Sequence, residues 1–329
     1  MSGVGKLTNE QLAQVILSSL TPQRDDVVLR PGIGVDCGAI RSHGRVVVLS
    51  SDPITAASAD AGRLAVYVSC NDVAAAGAEP VGLLLVVLAP PGTPTEALGD
   101  IVRQAQQAAA SLGVDILGGH TEFTDAVTRT VLCTTAIGLA PEGGQVFSAA
   151  GARPGHALVL TKWAGMEGTA IAASDAAEFA AAVLSAEELV FAQSLADRLS
   201  VVPEGRMAAS IGVTAMHDVT EGGVLGAAWE MAQASGCGVR VDADHVPVLQ
   251  VTRKLCAQRG VEPLRLISSG CMLMAAEDGS AAVAALQAAG IHASVIGEFT
   301  QSGCEVVRGG VAAPMAPPAA DELFKLLGQ

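Results

Sequence analysis

The stretch Asn71-Asp72-Val73-Ala74-Ala75-Ala76-Gly77-Ala78-Glu79-Pro80 decides the reading of this 329-residue chain. It closes a run of small and apolar residues, among them Leu64, Ala65, Val66 and Val68. The spacing predicts a helix over 62–76 that Gly77 stops. Asp72 falls inside that helix. An unpaired buried carboxylate costs several kcal/mol, so Asp72 needs either a cation or a salt bridge, for instance to Arg63 or Arg103.

Working outward, residues 82–89 read as a buried strand. Thr93-Pro94-Thr95-Glu96 reads as a capping box with proline at the first helical position, opening a helix that runs to about residue 112. A short apolar strand over 46–49 leads to Ser50-Ser51-Asp52-Pro53. A strand over 115–119 runs into a turn, and 128–140 is a longer strand. Near the start, Thr8-Asn9-Glu10-Gln11 is a further capping box. Residues 141–154 are rich in Gly, Ala and Pro, which places a boundary between two domains, 1–150 and 151–329. The second half alternates in the same way: strands at 157–161, 213–217, 239–241, 271–275 and 293–297, with helices ending at Gly236 and spanning 281–289. Helices and strands interleave in both halves, and cores filled by Ala, Val, Leu and Ile suggest mixed α/β packing.

Composition narrows the function. The net charge is −14 and no Lys/Arg-rich run occurs, which argues against nucleic acid as a partner. Such a protein still binds ATP when a divalent cation lies between carboxylates and phosphates. The longest apolar stretch, 81–91, is too short to span a bilayer. Seven cysteines without paired spacing fit neither a disulfide framework nor a structural zinc site, so a cytoplasmic location is expected.

Polar clusters with chemical potential recur. Gly32-Ile33-Gly34-Val35-Asp36 combines glycines that turn N–H groups toward an anion with an aspartate that can hold a cation, or is an ordinary turn. Asp52 follows a strand, where carboxylates often face a ligand crevice, or cap a turn. Gly118-Gly119-His120-Thr121-Glu122 ends a strand; its glycines permit close approach of a phosphate. His217-Asp218-Val219-Thr220-Glu221-Gly222-Gly223 lies between strand and helix, where the free N–H groups suit an anion unless Thr220 caps them. Lys162 is a candidate for contacting a phosphate or activating a substrate oxygen. There is no Walker lysine loop, no dinucleotide fingerprint and no nucleophile elbow. ATP, if used, must therefore be held through Mg²⁺ by carboxylates and glycine turns.

Taken together and in order, these motifs resemble the aminoimidazole ribonucleotide (AIR) synthase-related superfamily, nearest its HypE-like branch. Residues 71–80 match the Asn-Asp-Val/Leu-Ala-x-x-Gly-Ala-x-Pro signature, Gly118-Gly119-His120-Thr121 the Gly-Gly-x-Thr motif, and residues 217–223 the His-Asp-x-Thr-x-Gly-Gly motif. Ser268-Ser269-Gly270-Cys271-Met272-Leu273 is similar to a later family strand. The resemblance implies an α+β, PurM-like two-domain fold: a four-stranded amino-terminal sheet completing a barrel across a homodimer, and a carboxy-terminal α/β sandwich. It implies Mg-ATP chemistry that activates a carbonyl, amide or phosphate-acceptor oxygen on an unidentified small substrate or carrier group. Asp36, Asp52 and Asp72 are the implied Mg²⁺ ligands. Gly34, Asn71, Gly118, Gly119, His120, Thr121, Glu122, Gly222 and Gly223 are the implied nucleotide contacts, with His217, Asp218 and Lys162 as catalytic groups.

Four departures bear on function. Val35 stands where the family commonly has a second aspartate, which favours a non-catalytic nucleotide-binding maturation or regulatory subunit as the alternative. His120 stands where thiamine-monophosphate kinases carry Asp, and no reactive amino-terminal Cys of the selenophosphate synthetase kind is present. The sequence ends Leu326-Leu327-Gly328-Gln329 and its last cysteine is Cys304, so chemistry on a carboxy-terminal thiol is not expected of it.

Overall fold

The computed structural model describes residues 7, 9–55, 59–143, 145–318 and 320–328. Six strands form the first sheet: β1 (Val27–Leu29), β2 (Gly38–Ser42), β3 (Arg45–Ile54), β4 (Glu79–Ala89), β5 (Asp115–Phe123) and β6 (Val131–Leu139). Their order is β1-β2-β3-β6-β4-β5, antiparallel except for the β4/β5 pair. The sheet therefore has two more strands than the four implied by resemblance. Seven strands form the second: β7 (Ala157–Thr161), β8 (Val213–Asp218), β9 (Gly238–Asp242), β10 (Met272–Ala276), β11 (Ala293–Thr300), β12 (Cys304–Arg308) and β13 (Val311–Pro314). They run β13-β12-β9-β11-β7-β10-β8, with only β9/β12 parallel.

Alternation explains how the first sheet takes its helices. On β3, Val48 and Ser50 are buried while Val47, Leu49 and Ser51 are not, so one face is covered and the other is open. The covered face receives the helix Ala61–Ala75, in which Leu64, Ala65, Val66, Cys70, Val73 and Ala74 are buried. The amphipathic helix Thr95–Leu112 packs over it and ends at Gly113. Here the expected capping box does not form: Thr93 Oγ1 donates to the Pro90 carbonyl at 2.8 Å, and helix geometry starts at Thr95 with Pro94 outside it. The other expected box includes Thr8, which lies outside the described residues.

In the second sheet both faces are covered. The helix Gly223–Ser235 lies on the side of Leu160, Ala215 and Leu273, while Gly279–Ala288 lies on the side of Val159, Met216 and Met274. Ala75 joins the latter core, so the Asp72 helix is shared between the halves. The short helix Val202–Met207 packs on it so closely that a Cβ on Gly205 would stand 2.3 Å from the Ala74 carbonyl oxygen. Asn71 completes the join. Its Nδ2 donates to the Leu199 carbonyl at 2.7 Å and its Oδ1 accepts from the Val201 N–H at 2.8 Å. Among the described residues, no helix is long and apolar enough to cross a membrane.

Glu167 is a buried acid in this second half. It accepts from the Ser269 N–H at 3.2 Å. Burial pushes its carboxyl up to about 7, the Ser269 hydrogen bond pulling against it and the charge of Glu221 adding to it.

Gly205→Ala is expected to cost on the order of 1–3 kcal/mol, because backbone rather than a flexible side chain meets the new methyl; urea unfolding measures it. The raised folded-state value of Glu167 makes its contribution to stability complete below the unfolded value of 4.5, and that contribution is lost as pH rises through about 7. Glu167→Gln has no such loss. Relative to the wild type it should gain up to roughly 3 kcal/mol between about pH 5 and about pH 8. A stability difference that does not change with pH contradicts this.

Candidate functional site

Four parts of the chain converge where the halves meet. Ser50 and Asp52, two apart on β3, point to the covered face. The helix Ala61–Ala75 lies across that face and presents Asp72, which is 4% exposed. The segment between β1 and β2 carries Asp36, and β8 ends in His217-Asp218, both buried.

Ser50 is the hub. Its hydroxyl lies 2.5 Å from Asp72 Oδ2, 3.3 Å from Asp52 Oδ2 and 3.2 Å from the Asp36 carbonyl. Asp36 Oδ2 in turn lies 3.3 Å from His217 Nδ1, while His217 Nε2 lies 3.1 Å from Glu230 Oε2. Asp36, His217 and Asp218 each offer a ligand atom within 4.8 Å of the other two. A recess of ≈ 250 Å³ opens beside them, lined by Gly34, Asp36, Cys37, Asp72, Phe147 and Met216, among others.

The electrostatics follow from this crowding. Burial first, then the charge of Asp218, then hydrogen bonding and charge from Asp52 and the charge of Asp36, hold the Asp72 carboxyl well above the ordinary range. Burial and the same four aspartates push the Cys37 thiol up, which makes it a poor nucleophile. For His217 burial works downward, but Asp36 and Glu230 outweigh it and hold the ring well above its usual value. The salt-bridge alternative for Asp72 fails: Arg63 pairs with Asp60 and Asp197, and Arg103 with Asp100.

The remaining candidates lie elsewhere. β5 runs through Phe123, so His120, Thr121 and Glu122 are on an edge strand and not in a turn. A Cβ on Gly119 would stand 1.8 Å from the Leu85 carbonyl; the neighbouring strand by itself demands that glycine. Register runs Asp52↔Thr134, Thr134↔Leu85 and Leu85↔Gly119. Three strand spacings, roughly 14 Å, thus separate Gly119 from Asp52 of its own chain. His120 Nε2 and Glu122 Oε2 are 3.0 Å apart and exposed.

Asn71 is committed to the backbone bonds described above, which makes it a positioning residue. Lys162, at φ 54°, is also committed: Nζ lies 2.5 Å from the Ser200 carbonyl and 2.7 Å from the fully buried Glu204. At the helix Gly223–Ser235, Thr220 does not cap. Asp321 does the work, accepting from the N–H groups of Gly222 (2.8 Å), Ile267 (3.2 Å) and Leu323 (2.7 Å). The anion site expected at Gly222-Gly223 is filled by the chain's own carboxylate. Burial pushes that group up to about 6, the three N–H donors pulling against it.

Sequence reasoning passed over Ser50, Glu230, Glu204 and Asp321. Ser50 was findable, being two residues before Asp52 on a strand. The other three are brought in from distant positions with no local signal.

Comparison with known proteins agrees with this geometry. The AIR synthase related protein N-terminal domain matches residues 34–140, and the C-terminal domain of the same family matches 153–309. The carbamoyl dehydratase HypE of Cupriavidus necator is 30% identical over 307 residues, covering 90% of this chain and 85% of the relative. The crystal structure of Escherichia coli HypE superposes with a TM-score of 0.73 at 26% identity, covering 85% of this chain and 88% of that one. A hydrogenase maturation protein HypE in complex with ATP superposes with a TM-score of 0.72 at 22% identity, covering 98% and 97%. With both domains matched and the motifs standing where the fold needs them, the chain belongs to the AIR synthase-related family.

Proposed function

We propose that the protein is a HypE-like, Mg-ATP-dependent enzyme that activates a carbonyl- or amide-type oxygen of a small acceptor by phosphoryl transfer. The observation that carries this reading is the convergence of Asp36, Asp52, Asp72 and Asp218 about Ser50. Four neighbouring carboxylates, Asp72 and Asp218 of them buried and the Asp72 carboxyl held above its ordinary range first by burial and then by its neighbours' charge, fit a divalent cation better than any side chain within reach. Asp52 and Asp72 would hold Mg²⁺, with Asp36 and Asp218 beside them. Bound there, Mg²⁺ would neutralise triphosphate charge and polarise the transferred group. The protein's own groups orient the site: Ser50 fixes Asp72, His217 steadies Asp36, and Asn71 locks the Asp72 helix to the second half.

A second copy would bring Gly118–Glu122, which lie three strands from Asp52 in their own chain, to a nucleotide at the carboxylates. The open face of the first sheet supports this. Ile40, Leu49, Leu84, Val86 and Ile137 are left partly or largely exposed there, an apolar surface suited to burial against another sheet. His120 and Glu122 pair in register with Val86 and Leu88 of that face. We therefore propose a homodimer closed through these sheets as a barrel. Lys162, held by Glu204, is then the candidate to meet the acceptor. The second reading, a nucleotide-binding subunit without turnover, is favoured by Val35 alone.

ADP release from Mg-ATP by the purified protein tests the proposal. Asp72→Asn is expected to lower turnover at least about 100-fold, a loss of roughly 3 kcal/mol or more of transition-state stabilisation. Equal, negligible turnover in both proteins with ATP still bound overturns the enzyme reading and leaves the subunit reading.

A further inference from the structure

Two cysteines are neighbours at the margin of the second sheet, outside the crevice described above. β9 and β12 run parallel, with Cys304 level with Val239. Cys237 stands two residues before Val239, so its side chain falls on the same face as that of Cys304. Both pack against the core that contains Val239 and Val241, and both stay partly exposed. The backbones beside them touch: a Cβ on Gly238 would run into the Gly303 carbonyl oxygen. Both also meet the end of the helix Gly223–Ser235. Gln233 Nε2 lies 3.9 Å from Cys304 Sγ, and the Cys237 N–H closes that last turn on the Ala232 carbonyl at 3.0 Å.

Separation decides what such a pair can do. One strand spacing sideways and two residues along put the Cα atoms roughly 8 Å apart, beyond the about 7 Å that a disulfide tolerates. Two metal–sulfur bonds of about 2.3 Å each hold their sulfurs roughly 4.5 Å apart, which suits the wider spacing. We propose that Cys237 and Cys304 form a two-thiolate site for a soft, monovalent ion of the Cu(I) class. A structural Zn²⁺ demands four ligands, whereas among the described residues no third His, Cys, Asp or Glu joins this pair at metal-ligand spacing. A two-coordinate ion needs none. Charge agrees, because one positive ion between two thiolates leaves a single negative charge at a half-buried apolar margin. Burial pushes both thiols up; the charge of Cys304 adds to this at Cys237, while hydrogen bonds from Val239 and Gln233 pull against it at Cys304. The thiols therefore stand protonated near neutral pH and the ion displaces both protons. Two S–H bonds break, two metal–sulfur bonds form, no electron moves, and affinity rises with pH.

The test titrates the reduced, full-length protein anaerobically with Cu(I) buffered by the chromophoric chelator bicinchoninate. The wild type should withdraw one equivalent from the chelator and show two sulfur neighbours around copper by X-ray absorption. Cys237→Ser and Cys304→Ser should each lose this withdrawal. Cys133→Ser, which alters the partly exposed cysteine of the first sheet, should keep it. A wild type that withdraws no copper, withdrawal that survives in Cys237→Ser or Cys304→Ser, or a shell of more than two sulfurs overturns the proposal. So does an intrachain disulfide between the two cysteines on exposure to glutathione disulfide, because it would show them closer than the ion requires.

Discussion

Mutual repulsion among aspartates is the constraint on which this structure turns. Asp36, Asp52, Asp72 and Asp218 come from four separate places in the chain and are pressed into one crevice. Folding gains nothing from such an arrangement by itself. It is maintained because the elements bearing the aspartates are fixed by other interactions: β3 in the sheet core, the helix Ala61–Ala75 between two hydrophobic layers, and β8 on the edge of the second sheet. Packing energy from apolar neighbours holds the carboxylates together against burial and mutual repulsion.

That dependence explains why the joint between the halves is so specific. Asn71 stands beside Asp72 and spends its amide on the loop at Leu199 and Val201. Ser200, in the same loop, receives Lys162, which Glu204 also grips. Gly205 lets the next helix lie against Ala74. A short run of contacts thus couples the position of Asp72 to that of Lys162. Small displacements at the joint would alter both sides of the reaction together.

Much of this was legible in the sequence, and the rest was hidden for identifiable reasons. The Asp72 helix could be read because apolar residues recur at helical spacing and Gly77 ends it. The β7 strand could be read to the residue, since Ala157 to Thr161 is a buried run between a turn and a glycine-rich loop. The extension of β5 through His120 and Glu122 was not legible: two glycines ordinarily end a strand, and only pairing with β4 keeps this one extended. The β12–β13 hairpin was missed because its strands are short and largely exposed, with little periodicity to show. In the site, Asp36, Asp52 and Asp72 were recognisable from their glycine and strand contexts. Asp321 was not, because nothing near it in sequence announces that it caps a helix almost a hundred residues away.

The central claim is that the aspartate crevice is completed by a divalent cation. Its most direct measurement is thermal unfolding of the wild type and of Asp72→Asn across a Mg²⁺ titration at low ionic strength, without nucleotide. The account predicts a midpoint that climbs with Mg²⁺ in the wild type, following ligand-linked stabilisation, and stays nearly flat in the variant. A wild-type midpoint that ignores Mg²⁺, or one that climbs equally in both proteins, would contradict it.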